Sequence, residues 1–415
     1  MTGISRQWHN GEVSVSGKTI LLANELGDGI GYSLRCLALA RSLSGHGHRP
    51  VVALRRIDVA ERLADQPRIP VVQAPYVIGR LSARQRRAGF HPTSFTDLMA
   101  CNGFGSIDHL YPLLRAWRDL IDLVRPDLIV GSYCPLLTTA AYGRIPVVLF
   151  GSGYSTPPAD APEFPLFRTD TGDVDTERVN GARLLEVIQQ VQSRFGAPLP
   201  MHLTDVYRAQ QRFVISFPEL DPYRECRHDP CLGTFESLAS PSPATGAGFY
   251  AYLAGDGRLT RRIASLLATS GVPGSLHVRD ADPREWRMSR SADVSVLPAA
   301  PLLEQAVREA SVVIHHGGLA TAQVALALGR PQVIVPRYVD QVLVGEALAD
   351  QPFVSVLGAD GSAEDLLAAV RSLCRSAPAR RAAMDHATAL HARGLQGARQ
   401  HLVAACLHEL GETVS

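Results

Sequence analysis

The chain has 415 residues, 46% hydrophobic, 20% charged and 6% aromatic. At about 150 residues per domain this makes two or three domains, long enough to bury cores without disulfide or metal staples. Its 41 basic and 40 acidic residues leave a net charge of +1. That balance excludes the basic stripe of a nucleic-acid binder and the polybasic cluster of an anionic-lipid binder. Lys18 is the only lysine, so a lysine Schiff base has one place at most to form.

Residues 1–18 are polar, lack an apolar h-region, and read as a flexible segment rather than a secretory signal. No stretch approaches the roughly 18 consecutive apolar residues of a membrane span. Seven scattered cysteines, an odd number, predict a reduced, cytoplasmic chain. Cys226, His228 and Cys231 match no common zinc spacing and lack a fourth ligand; no metal is expected there.

In chain order, the apolar run 19–23 (TILLA) precedes a glycine turn at Gly27, Gly29 and Gly31. Leu34, Leu37, Ala38 and Leu43 then recur at helical spacing up to Gly45, and 50–54 (PVVAL) reads as a second strand. Strand, turn, helix, strand is a βαβ unit and implies a parallel sheet. Strands follow at 127–130, 146–150 and 213–217, with a loop-rich stretch over 151–200 that carries one helix near 183–195. Pro-rich punctuation marks a linker over 221–246. A second α/β set follows: strands at 249–253, 275–279, 311–315 and 331–335, and helices at 258–269, 320–328, 363–374 and 378–410. The expected domains are 19–220 and 247–385, two doubly wound α/β units facing across a cleft, with a C-terminal helix over 386–415.

Several motifs fail on context. Gly17-Lys18-Thr19 precedes its strand, where a phosphate-binding P-loop follows one. The glycine loop at 27–31 has Tyr32 in place of the last fingerprint glycine, and Arg55 and Arg56 where a ribose-binding acid belongs. The pairs Asp173/Asp175 and Asp280/Asp282 read as solvated turns.

One segment is specific: strand 311–315, then His315-His316-Gly317-Gly318, Thr321 on a helix, Gly329-x-Pro331, and Asp340-Gln341. A buried strand delivers two histidines and two glycines to a helix start, where free N–H groups make an anion site. An imidazole and the Thr321 hydroxyl add donors for phosphate oxygens. Asp340 and Gln341 are expected in a loop on the same rim, with acceptors suited to sugar hydroxyls. Together these read as a metal-free seat for a diphosphate-sugar.

This segment resembles the donor signature of family-1 glycosyltransferases, the UDP-glycosyltransferase superfamily of GT-B fold, and is most similar to bacterial antibiotic and macrolide glycosyltransferases. The resemblance implies that His316, with His315 beside it, contacts the donor diphosphate. It further implies that Gly317, Gly318 and Thr321 form the phosphate loop, that Asp340 and Gln341 hold the sugar, and that 296–303, with Pro298, cradles the base. Two positions depart from the pattern. Val324 replaces a glutamate that grips the ribose in many UDP-sugar enzymes, so dTDP, or UDP held differently, is expected. Tyr32 stands where the family carries its acceptor base. A neutral tyrosine is a poor base, so Asp28, then Glu25, are the carboxylates expected to replace it.

The resulting reading is an inverting glycosyltransferase, cytoplasmic and of bacterial secondary metabolism. It needs no cofactor beyond the nucleotide-sugar co-substrate and acts on a small lipophilic or lipid acceptor. Phe90, Phe95, Phe104, Tyr111, Trp117 and Tyr154 either line the acceptor site or fill the core. Weak peripheral membrane contact is compatible with a lipid acceptor; no nucleic acid is a partner, and a monomer or dimer is expected. The alternatives are a nucleotide-sugar epimerase of the same fold or a non-catalytic nucleotide-sugar-binding relative.

Overall fold

Along β1 (Thr19–Asn24) every residue from Ile20 onward is buried, and successive side chains enter different cores. Leu21 and Ala23 join Trp117 and Leu137, whereas Ile20 and Leu22 join Leu37 and Val52. A strand buried on both faces belongs in a parallel sheet between two helical layers. The computed structural model describes residues 17–58, 69–76, 92–168, 172–254, 258–279, 293–358 and 361–412, and contains two such sheets.

The first sheet has β1, β2 (Arg49–Leu54), β3 (Val71–Gln73), β4 (Leu128–Ser132), β5 (Val147–Gly151) and β6 (Gln211–Val214), in the order β3-β2-β1-β4-β5-β6. The second has β7 (Phe249–Ala254), β8 (Gly274–Arg279), β9 (Val294–Val296), β10 (Val312–His315), β11 (Gln332–Ile334) and β12 (Val354–Val356), in the order β12-β11-β10-β7-β8-β9. Every pairing is parallel. Counted from its own first strand, each sheet runs 3-2-1-4-5-6, the doubly wound order whose ligands sit beyond the strand ends where the order reverses. Those reversal points are β1/β4 and β7/β10.

The flanking helices are α1 (Ile30–Gly45), α2 (Phe95–Met99), α3 (Ile107–Val124), α4 (Pro135–Ala141), α5 (Val174–Arg194), α6 (Arg258–Ala268), α7 (Leu303–Glu309), α8 (Leu319–Ala327), α9 (Val339–Leu348), α10 (Ala363–Arg375), α11 (Ala377–Ala392) and α12 (Ala398–Glu409). Among the described residues no helix is long and apolar enough to cross a membrane.

Several boundaries differ from the sequence reading. The helix expected near 183–195 starts at Val174, because Asp173 caps it by accepting from the Asp175 and Thr176 amides. Asp173 is therefore a helix cap rather than a plain turn, while Asp280 and Asp282 lie outside the described residues. The single helix expected over 378–410 is two, broken where Gly394 and Gly397 adopt positive φ of 66° and 74°. The division at 386 falls inside α11, which packs on the second core, whereas Leu402, Cys406 and Leu407 of α12 cross back to the first. Nor is all of 221–246 a free linker. Arg227 bonds Asp221 at 2.7 Å and Asp229 at 2.8 Å, Arg212 bonds Asp229 at 3.0 Å, and Asp221 is buried with the other three partly buried around it.

The domains also meet directly. Leu343 of α9 is counted in the first-domain core, and Arg168 pairs with Glu346. Within the second domain, the motif arginine Arg330 is buried and bonds the carbonyls of Val307, Ser242, Leu328, Gly329 and Arg308. It thereby ties the end of the connecting segment to α7.

Candidate active site

β10 and β7 are neighbours across the second reversal point, and the chain leaving β10 turns sharply at Gly317, whose φ is +87°. A Cβ there would stand 2.7 Å from the Gln341 carbonyl oxygen and 3.1 Å from Ile334. Only glycine lets the loop lie this close to the start of α9. Gly318 then opens α8 with no side-chain cap, so its first N–H groups remain available to an anion.

The two histidines divide their roles. His315 is 1% exposed. Its Nδ1 accepts from the Gly317 amide at 3.0 Å, which leaves Nε2–H to donate to Gln332 Oε1 at 2.9 Å. Both ring nitrogens are thus committed to the protein, and burial pushes its pKa down to about 4. His315 shapes the loop and has no face left for a donor, a correction to its expected diphosphate contact; strand alternation turns it away from its neighbour.

His316 donates from Nδ1 to the Val335 carbonyl at 2.8 Å. Its Nε2 is buried and makes no hydrogen bond of good geometry, although the Ala254 backbone at the end of β7 lies near enough to favour its proton. Burial, then the nearby Arg337 and Arg279, lower its pKa. Arg337, whose guanidinium bonds the Ala254 carbonyl, escaped the sequence reading; its only signal was an arginine directly after the Pro336 strand end.

Neutral burial of His315 has a measurable consequence. Its folded pKa lies below the unfolded value of about 6.5, so protonation favours the unfolded chain, and stability is lost as pH falls from about 6.5 toward 4. The loss from this group reaches about 3 kcal/mol. Urea unfolding at pH 7 and pH 4 should show a smaller acid loss in His315→Gln than in the wild type. Equal losses would assign acid sensitivity elsewhere.

Asp340 and Gln341 occupy the first turn of α9, not the loop expected for them. Gln341 caps the turn by accepting from the Arg337 amide at 2.9 Å. Asp340 faces the first domain, where the phenols of Tyr32, Tyr133 and Tyr154 lie near enough to feel its charge. Burial in the closed cleft pushes its pKa up to about 6, against the pull of nearby backbone amides. Thr321 is buried in the first turn of α8. Pro298 is exposed just beyond β9 on the same rim. Gln323 turns away and donates to the Gly233 carbonyl at 3.0 Å.

The first-domain carboxylates part company. Glu25 is buried, and its two oxygens accept from the Leu136 and Leu137 amides at 2.6 and 3.0 Å. It caps α4 and cannot serve as an acceptor base, which corrects that expectation. Asp28 is exposed and sits 3.4 Å from Arg55 at the end of β2. The glycine turn is filled by the chain itself, since a Cβ on Gly27 would stand 2.4 Å from the Tyr32 ring. Tyr32 lies beside the Ser152 and Ser155 hydroxyls, and burial raises its pKa. Next to it, Tyr133 holds a strained φ of +54° directly after β4, at the first reversal point, where strain often marks a site.

Of the aromatic residues weighed for an acceptor site, Phe95, Phe104 and Trp117 are fully buried core. Tyr111 stacks on Phe195 at 4.9 Å, and Phe90 lies outside the described residues. Only Tyr154 reaches the cleft. Among the described residues no group of three or more His, Cys, Asp or Glu side chains is placed to hold a metal ion; His228 pairs with Asp160 at 3.2 Å.

Two parallel doubly wound sheets, joined by a linker and by a last helix that returns to the first domain, form the GT-B glycosyltransferase fold. Among solved structures, the chain is similar to the glycotransferase of kitacinnamycin at 18% identity and a TM-score of 0.64, covering 95% of this chain and 99% of that one. A calicheamicin glycosyltransferase gives 16%, 0.64, 96% and 100% on the same measures. The spinosyn rhamnosyltransferase complexed with thymidine diphosphate gives 17%, 0.58, 90% and 96%. No family model matches the sequence, and no curated protein does.

Proposed function

We propose that the chain is a glycosyltransferase that takes a sugar from a thymidine-diphosphate donor and passes it, with inversion, to a hydroxyl of a small apolar acceptor. One observation carries this reading: the buried Nε2 of His316, with no hydrogen bond of good geometry, beside an uncapped helix start. A buried polar atom at such a place awaits a partner, and phosphate oxygens suit both the helix amides and an Nε2 that has taken up a proton. A similar structure agrees, since the spinosyn rhamnosyltransferase is complexed with thymidine diphosphate.

Val324 supports thymidine over uridine. It packs in an apolar cluster with Tyr250, Tyr252, Leu297 and Leu303, so no carboxylate stands there to grip a ribose 2′-hydroxyl. The helix amides, His316 and the neighbouring arginines stabilise charge on the leaving diphosphate. For the acceptor proton, Asp340 is the group of choice. It faces the tyrosines of the first domain, whereas Asp28 is exposed and leans toward Arg55 just after β2. A carboxylate near pKa 6 is a well-matched general base at neutral pH. Asp340 thus adds proton abstraction to the sugar contact that the resemblance implies for it.

Calorimetry with dTDP and UDP, followed by transfer assays with and without EDTA, tests the reading. The expected result is tighter binding of dTDP and transfer that persists in excess EDTA. Binding of neither nucleotide would remove the proposal, and activity that EDTA abolishes and Mg²⁺ restores would replace metal-free catalysis. Release of an altered nucleotide-sugar without acceptor would favour an epimerase.

A further inference from the structure

Burial lowers the pKa of four described arginines, Arg35, Arg118, Arg212 and Arg330. Three of them are compensated. Arg212 pairs with Asp229 at 3.0 Å, Arg330 bonds five carbonyls, and Arg118 lies over the Phe195 ring with Asp122 nearby. Arg35, partly buried in the second turn of α1, has no hydrogen bond, ion pair or ring contact among the described residues. The titratable groups that act on it are Tyr32 and Cys36. Burial raises the pKa of that phenol and pushes the thiol up to about 12, so both are neutral near pH 7 and neither offsets the charge. A desolvated cation without a partner is costly and calls for an anion.

The surroundings suit one. Helical side chains lean back over the residues three and four earlier, here Tyr32 and Gly31, and the influence of Arg35 on the Tyr32 phenol agrees. That first turn is itself unsatisfied. The helix enters at Gly29 with no side-chain cap and no acidic residue in its first turn, which leaves N–H groups for an anion. A Cβ on Gly31 would meet no side chain or other segment within 4 Å, so the space beside these groups is open. Behind the same loop, Asn24 at the end of β1 is 0% exposed with both amide atoms unpaired. Its Nδ2 lies 2.6 Å from the place a Cβ of Gly27 would take. The loop carboxylate Asp28 is spent elsewhere, on Arg55. Tyr32 feels both Arg35 and Asp340 of α9, so this corner belongs to the first-domain wall of the cleft.

We propose that Arg35 and the start of α1 form a second oxyanion seat, on the first domain and across the cleft from His316, which takes a phosphate or carboxylate group of a substrate. The planar guanidinium fork suits two oxygens of such a group at once. Two sources supply that chemistry: the diphosphate of the donor, reaching across the cleft, or an acidic group on the acceptor. The words donor and acceptor rest on the transferase reading; the seat itself does not.

Arg35→Met tests the seat by thermal unfolding and calorimetry. Since the charge has no partner in the free protein, the variant should unfold at the wild-type temperature or above it, as when a binding group is removed at no cost to the fold. A lower unfolding temperature, or failure to fold, would make Arg35 structural and overturn the proposal. In His316→Ala protein, which lacks the second-domain imidazole, inorganic phosphate should protect against unfolding better than chloride at equal ionic strength. Adding Arg35→Met to that protein should raise the Kd for phosphate at least about tenfold, the scale of a charge-assisted hydrogen bond. The general stabilising effect of phosphate is common to both proteins and cancels in the comparison. Equal Kd values with and without Arg35 would also overturn the proposal. The source is read from dTDP and the single variant. A Kd for dTDP that rises about tenfold in Arg35→Met assigns the seat to the donor diphosphate, and an unchanged one assigns it to the acceptor. A wild type that binds phosphate through Arg35 but does not bind dTDP would remove the donor reading and leave the seat intact.

Discussion

Replacing His316 with alanine is expected to weaken dTDP binding by about 1.5–3 kcal/mol, the loss of a hydrogen bond to a charged group, or roughly 10- to 150-fold in Kd. The argument runs through tautomers. Nδ1–H is committed to the Val335 carbonyl, so the neutral ring presents a bare Nε2, which repels a phosphate oxygen. A diphosphate can be held only once Nε2 gains a proton. In the free protein burial and two arginines oppose that proton, and two negative charges would reverse the balance. Binding at neutral pH should therefore take up a proton, and affinity should fall as pH rises. Calorimetry in buffers of different ionisation enthalpy measures the uptake directly. It should vanish in His316→Ala; an unchanged affinity and an unchanged proton count would remove His316 from the donor site.

Asp340→Asn is expected to lower turnover by about 10²–10⁴-fold, the usual worth of a general base, while dTDP affinity stays nearly constant. The amide keeps the size of the carboxyl but cannot take a proton. For the wild type the sign of the pH dependence follows from the raised pKa: protonated Asp340 is inactive, so kcat/KM should climb as pH passes about 6 and level off above it. That acidic limb should be absent from the residual activity of Asp340→Asn. Asp28→Asn should cost far less, because that carboxylate leans on Arg55. The opposite ranking of the two variants would return the base to the β1–α1 loop.

The parallel α/β character of both halves and their longer strands were legible in the sequence because each depends on local pattern. Apolar runs such as 19–23 can only be doubly buried strands, and Gly317 and Gly318 after a strand announce a close backbone approach. Short edge strands such as Val71–Gln73 and Val354–Val356 were not legible, since three residues carry no period. The helix Ile107–Val124 was passed over although its one-sided burial of Leu110, Leu114, Trp117 and Ile121 is a helical pattern.

What the sequence by itself determined is therefore the chemistry on offer: two parallel-sheet domains, a histidine and glycines at a strand end, an acid and amide pair downstream, and valine where a ribose-gripping glutamate is expected. Only the tertiary structure decided which of these groups are free. Glu25 and His315 look like site residues in one dimension, yet each spends both its polar atoms on the fold, one on the α4 amides and the other on Gly317 and Gln332. The reason is physical. Spacing reveals which backbone turns a residue sits on, but hydrogen-bond satisfaction is settled by neighbours distant in the chain.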